Sequence, residues 1–324
     1  VSPVYNNVIS RSDAAALIPE EVAAGIIGHV AQQSAALQLF RHVPMSRAQQ
    51  RMPVIAALPV AYFINPSDTG LKQTTEADWA NKYLNAEEIA AIVPIPETVL
   101  DDTAFDVWGQ VSPLLEEAIG RCLDAAVFFG IGKPASWPVD IATSAAAAGN
   151  VATEGTNDQA HGGIVGDISD VFTTVEADGY DVNGMVAHRK LRGALRQARA
   201  TTGEQLADTP SSSPGTNPTN EVYGVTVTYP LRGLWPSGLS KPEAIVGDFT
   251  EGILGVRQDI TYKILDQAVI QDGTGAIQFN LAQQDMVAMR VVARFGWQVK
   301  ATLTYDQPTD AQRYPFGVLL TKAS

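Results

Sequence analysis

In the last third of the chain the stretch AIVGDFTEGILGVRQDI sets Gly247, Gly252 and Gly255 among Asp248, Glu251, Arg257 and Asp259. Glycines mixed with charges are the raw material of a phosphate cradle or a cation loop, where backbone N–H groups or carboxylates converge on one ion. The spacing supports neither. In FGIGKPAS, Gly130, Gly132 and Lys133 lack the four-residue interval between glycines, and no Ser or Thr follows the Lys. The acids of EADGYDVNG miss the alternate positions of a calcium loop, and no terminal Glu follows. His29, His42, His161 and His188 fall in a helical pattern, an arm, a glycine-rich loop and a helix start, without HExxH spacing or a cysteine set for zinc. No G-x-S-x-G elbow occurs, and Ser112 precedes Pro113 inside a helical pattern. The acid pairs Glu20–Glu21, Glu87–Glu88, Asp101–Asp102 and Glu116–Glu117 read as solvated carboxylates at helix starts, on a strand and on a helix face. General acid–base work needs two carboxylates in one cleft with separated pKa values, and nothing argues for that convergence. Cys122, the one cysteine, reads as a small apolar residue buried on a helix. The expectation is no catalytic, cofactor-binding or metal-binding residue, and no enzyme.

The bulk properties agree. Of 324 residues, 45% are hydrophobic and 18% charged, the range of an ordinary folded protein with a sizeable core divided between two lobes. A formal net charge of −13 argues against a surface that grips nucleic acid, because such binding rests on clustered Lys and Arg releasing counterions. No apolar run approaches the roughly 20 residues that span a bilayer, and VSPVYNNVISRSD lacks the basic and apolar regions of a secretory signal. Cytosolic synthesis and no membrane partner are expected.

Several elements could position these residues. SDAAALIPEEVAAGIIGHVAQQSAALQLF opens on a capping signal and continues at helical spacing through Val22, Ile26, Ile27 and Val30. VPMSRAQQRMPVIAALPVAYFI and NAEEIAAIVPIPETVL are rich in β-formers and flank the polar NPSDTGLKQTTEADWANKY, which predicts a long hairpin with a mobile tip. A hairpin of that length cannot bury both faces on its own domain, so it reaches toward something else. Apolar residues at Phe105, Trp108, Val111, Leu115, Ile119, Leu123 and Val127 predict one long helix, started by Asp101 to Thr103 and stopped by Gly130 and Gly132. SAAAAGNVATEGTNDQAHGG and TPSSSPGTNPTN read as loops, with alternating helix and strand from about Gly166 to Gly252. ITYKILDQAVI and DMVAMRVVARFGWQVKATLTY read as strands.

This order resembles the major capsid proteins of tailed bacteriophages, whose fold is named after phage Hong Kong 97 (HK97). LIPEEVAAGII looks like the start of the family's shell domain, AAIVPIPETVLDD like the end of its extended arm, and EEAIGRCLDAAVFFGIGKP like its spine helix with a glycine-rich exit. YGVTVTYPLRG, AIVGDFTEGILGVRQDITYKI and DMVAMRVVARFGWQV are similar to its last third, so the likeness runs from about Leu17 to Tyr305. It implies an α+β, HK97-like fold: an N-terminal arm and leading helix (1–45), an extended hairpin loop or E-loop (46–97), a peripheral domain (98–159 and 256–296) with spine helix 102–129, and an axial α/β domain (160–255 and 297–324). In that fold the glycines of AIVGDFTEGILG serve bends and close backbone approach.

The resemblance implies a structural protein that self-assembles as pentamers and hexamers into the icosahedral head around a double-stranded DNA genome. The head would be assembled in the host cytoplasm and located in the virion, with scaffold, portal and decoration proteins as further partners. Identical subunits joined by many modest contacts suit Ala- and Gly-rich surfaces and an arm that reaches a neighbour. An acidic wall would enclose DNA without specific binding. About sixteen residues precede the likeness, which implies either a longer precursor or a separate scaffold. The alternatives are an encapsulin-like compartment around cargo enzymes and a cytosolic α/β enzyme with its site between lobes.

Lys72, Trp79, Lys82 and Tyr83 are the expected inter-subunit contacts at the arm tip. In the phage that names the fold, a Lys near the tip attacks an Asn of a neighbour while a Glu acts as base. Lys82 and Asn280 stand near the first two positions, but Leu281 to Arg290 holds no Glu, and Val287 or Ala288 stands where the base belongs. Asp285 lies about three residues away, on the order of 10 Å along a strand. A shell without covalent bonds between subunits is therefore expected.

Overall fold

The computed structural model describes residues 34–61, 63, 75, 77–102, 107–199, 201–203, 221–230, 233–236, 238 and 241–322. The leading-helix reading before residue 34, most of the hairpin tip with Lys72, and the TPSSSPGTNPTN loop lie outside them.

Two sheets organise the described chain. The first has five strands in the order β1 (Arg41–Pro44), β9 (Gly252–Leu265), β12 (Met286–Val299), β3 (Asp78–Pro96) and β2 (Gln49–Ala57). β12 runs antiparallel to both of its neighbours, and β1 runs parallel to β9. Along β12, Met289, Val291, Ala293, Phe295, Trp297 and Val299 all face one core, as the two-residue period of a strand requires. That core is closed by the helix Val107–Phe129, whose Leu115, Ile119, Leu123 and Val127 recur at helical spacing. Gly130 and Gly132 end it with φ of 67° and 68°, a conformation costly for any residue with a Cβ.

The second sheet has six strands: β4 (Val151–Thr153), β13 (Phe316–Leu320), β8 (Pro242–Gly247), β5 (Gly184–Ala187), β7 (Val225–Thr228) and β6 (Glu221–Val222). Both of its faces are covered, so its central strands are apolar throughout. Val186, Ile245 and Val318 point into the core shared with the long helix. Met185, Ala244, Val246 and Leu319 point to the other side, under the helix Ile164–Ala177. Phe40, Phe128, Phe249 and Phe316 join the sheets, with ring centroids 5.2 to 6.3 Å apart in the pairs they form. A two-stranded ribbon of β10 (Val269–Gln271) and β11 (Ile277–Asn280) stands apart from both sheets.

Three sequence readings need correction. Residues 78–83, placed in the mobile tip, are strand paired with β2, and Ala86–Pro96, placed in the returning arm, pairs with β12 inside the five-stranded sheet, because β3 is one continuous strand shared by the hairpin and the body. The run IATSAAAA is a helix, Ile141–Ala148, where SAAAAG was read as loop. Asp140 caps it by accepting from Thr143 N–H at 3.0 Å, and Gly149 closes it at φ 93°. Alanine is the strongest helix former, and Ile141 and Ala145 supply the buried side. Glu97–Asp102 is helical, where the reading extends the arm to Leu100. Pro96 is the last residue of β3, and Glu97 N–H turns to bond Asp285 O at 2.8 Å.

Candidate functional site

The residues singled out for contact and cross-linking lie on and around the hairpin of β2 and β3. These strands pair antiparallel from Gln49 opposite Asn85 to Ile55 opposite Trp79. Residues directly opposite share a face, so Arg51, Ile55, Trp79 and Tyr83 form one side while Met52, Lys82 and Leu84 form the other. The first side is open: Ile55 is 43% exposed, Trp79 65% and Tyr83 47%. Among the described residues no layer covers it. The other side is anchored by Leu84, fully buried with Met45 and Ile253.

Lys82 belongs to this anchored side. Its Nζ donates to the carbonyls of Val299 at 3.1 Å and Lys300 at 2.6 Å. Burial holds its pKa below the usual lysine range, with the Asp310 carboxylate opposing that shift. Beside it, Gln298 Nε2 donates to Tyr83 O at 3.1 Å, and Tyr305 hydroxyl donates to Pro59 O at 2.9 Å. Asn280 ends β11, its Nδ2 donating to Gln283 Oε1 at 2.8 Å. It lies past the Pro96 end of β3, next to the strand start at Met286 that pairs with Pro96. Fourteen residues of extended chain separate Lys82 from Pro96, about 45 Å. Lys82 and Asn280 therefore meet only between copies of the chain, never within one.

The glycine-rich stretch is construction. Gly252 and Gly255 sit where a Cβ would run into the Phe40 ring and into Met45 and Leu84, respectively. Glu251 is buried as a strut, its Oε2 accepting from Thr302 N–H at 2.9 Å and hydroxyl at 2.6 Å, its Oε1 from Lys300 Nζ at 3.1 Å. Burial alone would raise its pKa, but the Thr302 bonds and the Lys300 charge outweigh it and hold it low. Asp248 caps the turn Phe249–Glu251 by accepting from Thr250 N–H at 2.9 Å. Arg257 Nη1 donates to Ser46 O at 3.1 Å.

Other expectations changed in three dimensions. Cys122 is exposed on the outer side of the long helix, not buried, because Leu123 and Ile119 take the core positions of that turn. Glu116 is buried at 2% exposure and accepts from the Tyr262 hydroxyl at 3.1 Å, so it is not a solvated carboxylate. Glu88 faces Arg294, whose Nε reaches Oε2 at 2.9 Å, and Glu87 accepts from the Ser136 hydroxyl. Asp124 escaped the sequence reading. Fully buried, it accepts from Ser34 Oγ at 2.7 Å and from the N–H groups of Ala35 and Ala36 at 3.0 Å each, fastening the start of the helix Ala35–Leu39. Burial pushes its pKa up to about 6 despite those three bonds. Its signal was available: in CLDAAVFF it sits one helical turn before Val127 and Phe128, on the apolar stripe.

A cleft of about 220 Å³ is lined by Gln159, Gly162, Gly163, Ile164, Gln197, Ala198 and Arg199. Two of its polar side chains bond within its own wall: Gln159 Nε2 donates to Arg199 O at 3.2 Å, and Arg199 Nη1 donates to the carbonyls of Arg196 and Ala198. Among the described residues no three His, Cys, Asp or Glu side chains gather as metal ligands would.

Comparison with known proteins gives a consistent result. Residues 14–302 match the model of the phage capsid family. The major capsid protein of Staphylococcus phage 80alpha is 28% identical over 297 residues, covering 89% of this chain and 83% of that protein. A solved structure from Microbacterium phage Oxtober96 superposes with a TM-score of 0.77 at 34% identity, over 97% of this chain and 99% of that one. One from Mycobacterium phage Cain does so with a TM-score of 0.77 at 31% identity, over 98% and 99%.

Proposed function

Because the chain belongs to the phage capsid family and serves as a structural capsid protein of a tailed phage, self-assembling into the shell of the virion, we propose the following division of labour within it. The β2–β3 hairpin is the extended loop that lies over an adjacent copy, the helix Val107–Phe129 is the spine, and the six-stranded lobe gathers around the symmetry axes as pentamers and hexamers of an icosahedral head. β4 pairs with β13, which favours moving the start of that lobe from residue 160 back to Val151. The resulting head encloses double-stranded DNA without specific contacts, as a net charge of −13 suits, and forms in the host cytoplasm with scaffold, portal and decoration proteins. The capsid relatives do not favour a cargo compartment or an enzyme.

The observation that carries this reading is the open face of Ile55, Trp79 and Tyr83 on an arm anchored along its other face. A two-stranded ribbon is marginal alone, and an apolar face with two aromatics is what a protein partner buries. Electron microscopy and sedimentation of the expressed chain, with and without its neighbouring structural proteins, test it. Shells or ring-shaped capsomers are expected; a lone monomer under every condition overturns the assignment.

A further inference from the structure

The hairpin leaves the five-stranded sheet at a defined point. β3 and β12 pair without a slip from Met286 opposite Pro96 to Gly296 opposite Ala86. Continued two and four residues further, that register would set Gln298 opposite Leu84 and Lys300 opposite Lys82. The ladder stops instead. Beyond Ala86, β3 pairs only with β2. Across the opening, side chains replace the ladder: Gln298 Nε2 reaches Tyr83 O at 3.1 Å, and Lys82 Nζ reaches the carbonyls of Val299 and Lys300.

Two successive carbonyls point to opposite sides of a regular strand, so both can face one ammonium only where the strand ends. The chain does end its strand at Val299, and Ala301 takes a left-handed φ of 46°. Those carbonyls belong to the last β12 residue paired with β9, Val299 opposite Gly252, and to the residue after it. A lysine with an ammonium and a four-carbon stem spans the gap that a backbone N–H cannot.

We infer that Lys82, with Gln298 beside it, is an internal stay that sets the angle at which the hairpin leaves the body, and that its amine is committed to its own chain rather than to a neighbour. The hinge is the splay at Leu84–Ala86 and Gly296–Gln298. Leu84, packed against Gly255 and Gly296, is the pivot that stays put. The stay fixes the arm in the isolated subunit, and this holds whether or not the arm later covers another copy.

Hydrogen exchange on the full-length, unassembled chain tests it, comparing residues 49–57 and 78–83 with residues 286–296. A ribbon released from the body opens readily. Replacing a charged donor in Lys82→Met should therefore cost the hairpin amides about tenfold in protection and leave residues 286–296 unchanged. Lys82→Arg, which can still donate to both carbonyls, should keep most of the protection. Unchanged hairpin protection in Lys82→Met overturns the inference, as does an equal loss across residues 286–296, which would make Lys82 a contributor to general stability only. Should Lys82→Met not fold, Gln298→Ala carries the same comparison at the second bridge, with a smaller local loss expected and no loss overturning it.

Discussion

Asp124 and Glu243 show how buried carboxylates hold this chain together in opposite ways. Asp124 satisfies three donors at the start of the Ala35–Leu39 helix, so Asp124→Ala leaves them buried without an acceptor. A loss of at least about 3 kcal/mol is expected, read as a lower denaturant midpoint, with Asp124→Asn milder because its amide oxygen still accepts. Glu243, 8% exposed on β8, is a liability at neutral pH. Burial, then the charge of Glu154 and its hydrogen bond, push its pKa up to about 7 from an ordinary 4.5, while Lys190 pulls the other way. A carboxyl whose folded pKa is raised binds its proton more tightly in the folded state. Its contribution is therefore most favourable below about pH 4.5 and is lost as pH rises through about 7. Thermal unfolding of Glu243→Gln should show a gain on the order of 2 kcal/mol over the parent at pH 8 that shrinks toward pH 5. A gain of equal size at both pH values would mean that the carboxylate charge is not the cause.

Among the elements, the Ala-rich helix and the hairpin make contrasting claims. The helix Ile141–Ala148 depends on its ends: Gly149 at φ 93° sends its N–H back to the carbonyls of Ala145 and Ala146. Gly149→Ala puts a Cβ into a left-handed conformation and should cost about 1 kcal/mol, measurable as a lowered melting midpoint, while Ala147, exposed in the last turn, should tolerate Gln with little change. On the hairpin the balance reverses. Trp79 and Tyr83 are exposed in the subunit, so replacing both with Ala should leave the melting midpoint within about 0.5 kcal/mol of the parent. The same double variant should assemble poorly, seen as capsomers or free subunits in place of shells. Normal shells from it would remove the hairpin face from the list of contacts that matter.

For the whole molecule, Lys82 lies about 45 Å along β3 from Pro96, and Asn280 sits past the Pro96 end, so any bond between Lys82 and Asn280 is a bond between copies. A half-buried ammonium already donating to two carbonyls is poorly placed to attack an amide, and Leu281 to Arg290 supplies no Glu as base. Mature particles boiled in detergent under reducing conditions should run as a single band at 34.5 kDa. A ladder of multimers, lost in Lys82→Ala or Asn280→Ala, would show that assembly rearranges the stay and supplies a base from a neighbour.

Periodicity in the sequence was enough to show the long helix and the strand character of ITYKILDQAVI and DMVAMRVVARFGWQVKATLTY, although those strands end at Leu265 and Val299; it misplaced the arm, whose β2 pairs with Asp78–Asn85 while Ala86–Pro96 pairs with β12. The ordered elements together also carried the likeness to phage capsid proteins, although no single motif did. Local patterns could not tell whether an alanine run is helix or loop, because that turned on Asp140 and Gly149 at its ends and on the buried contact of Ala145. Nor could they tell which side of the long helix faces the core at Glu116 and Cys122, since both sit beside apolar residues in sequence. Lys82 illustrates the remainder. As a residue type near an arm tip it reads as an exposed nucleophile, and only the folded chain brings it to carbonyls 217 and 218 residues away, where burial and two hydrogen bonds redefine it. Contacts at that separation follow from how two sheets pack and where one strand parts from another, and neither is encoded in any window of the sequence short enough to have a period.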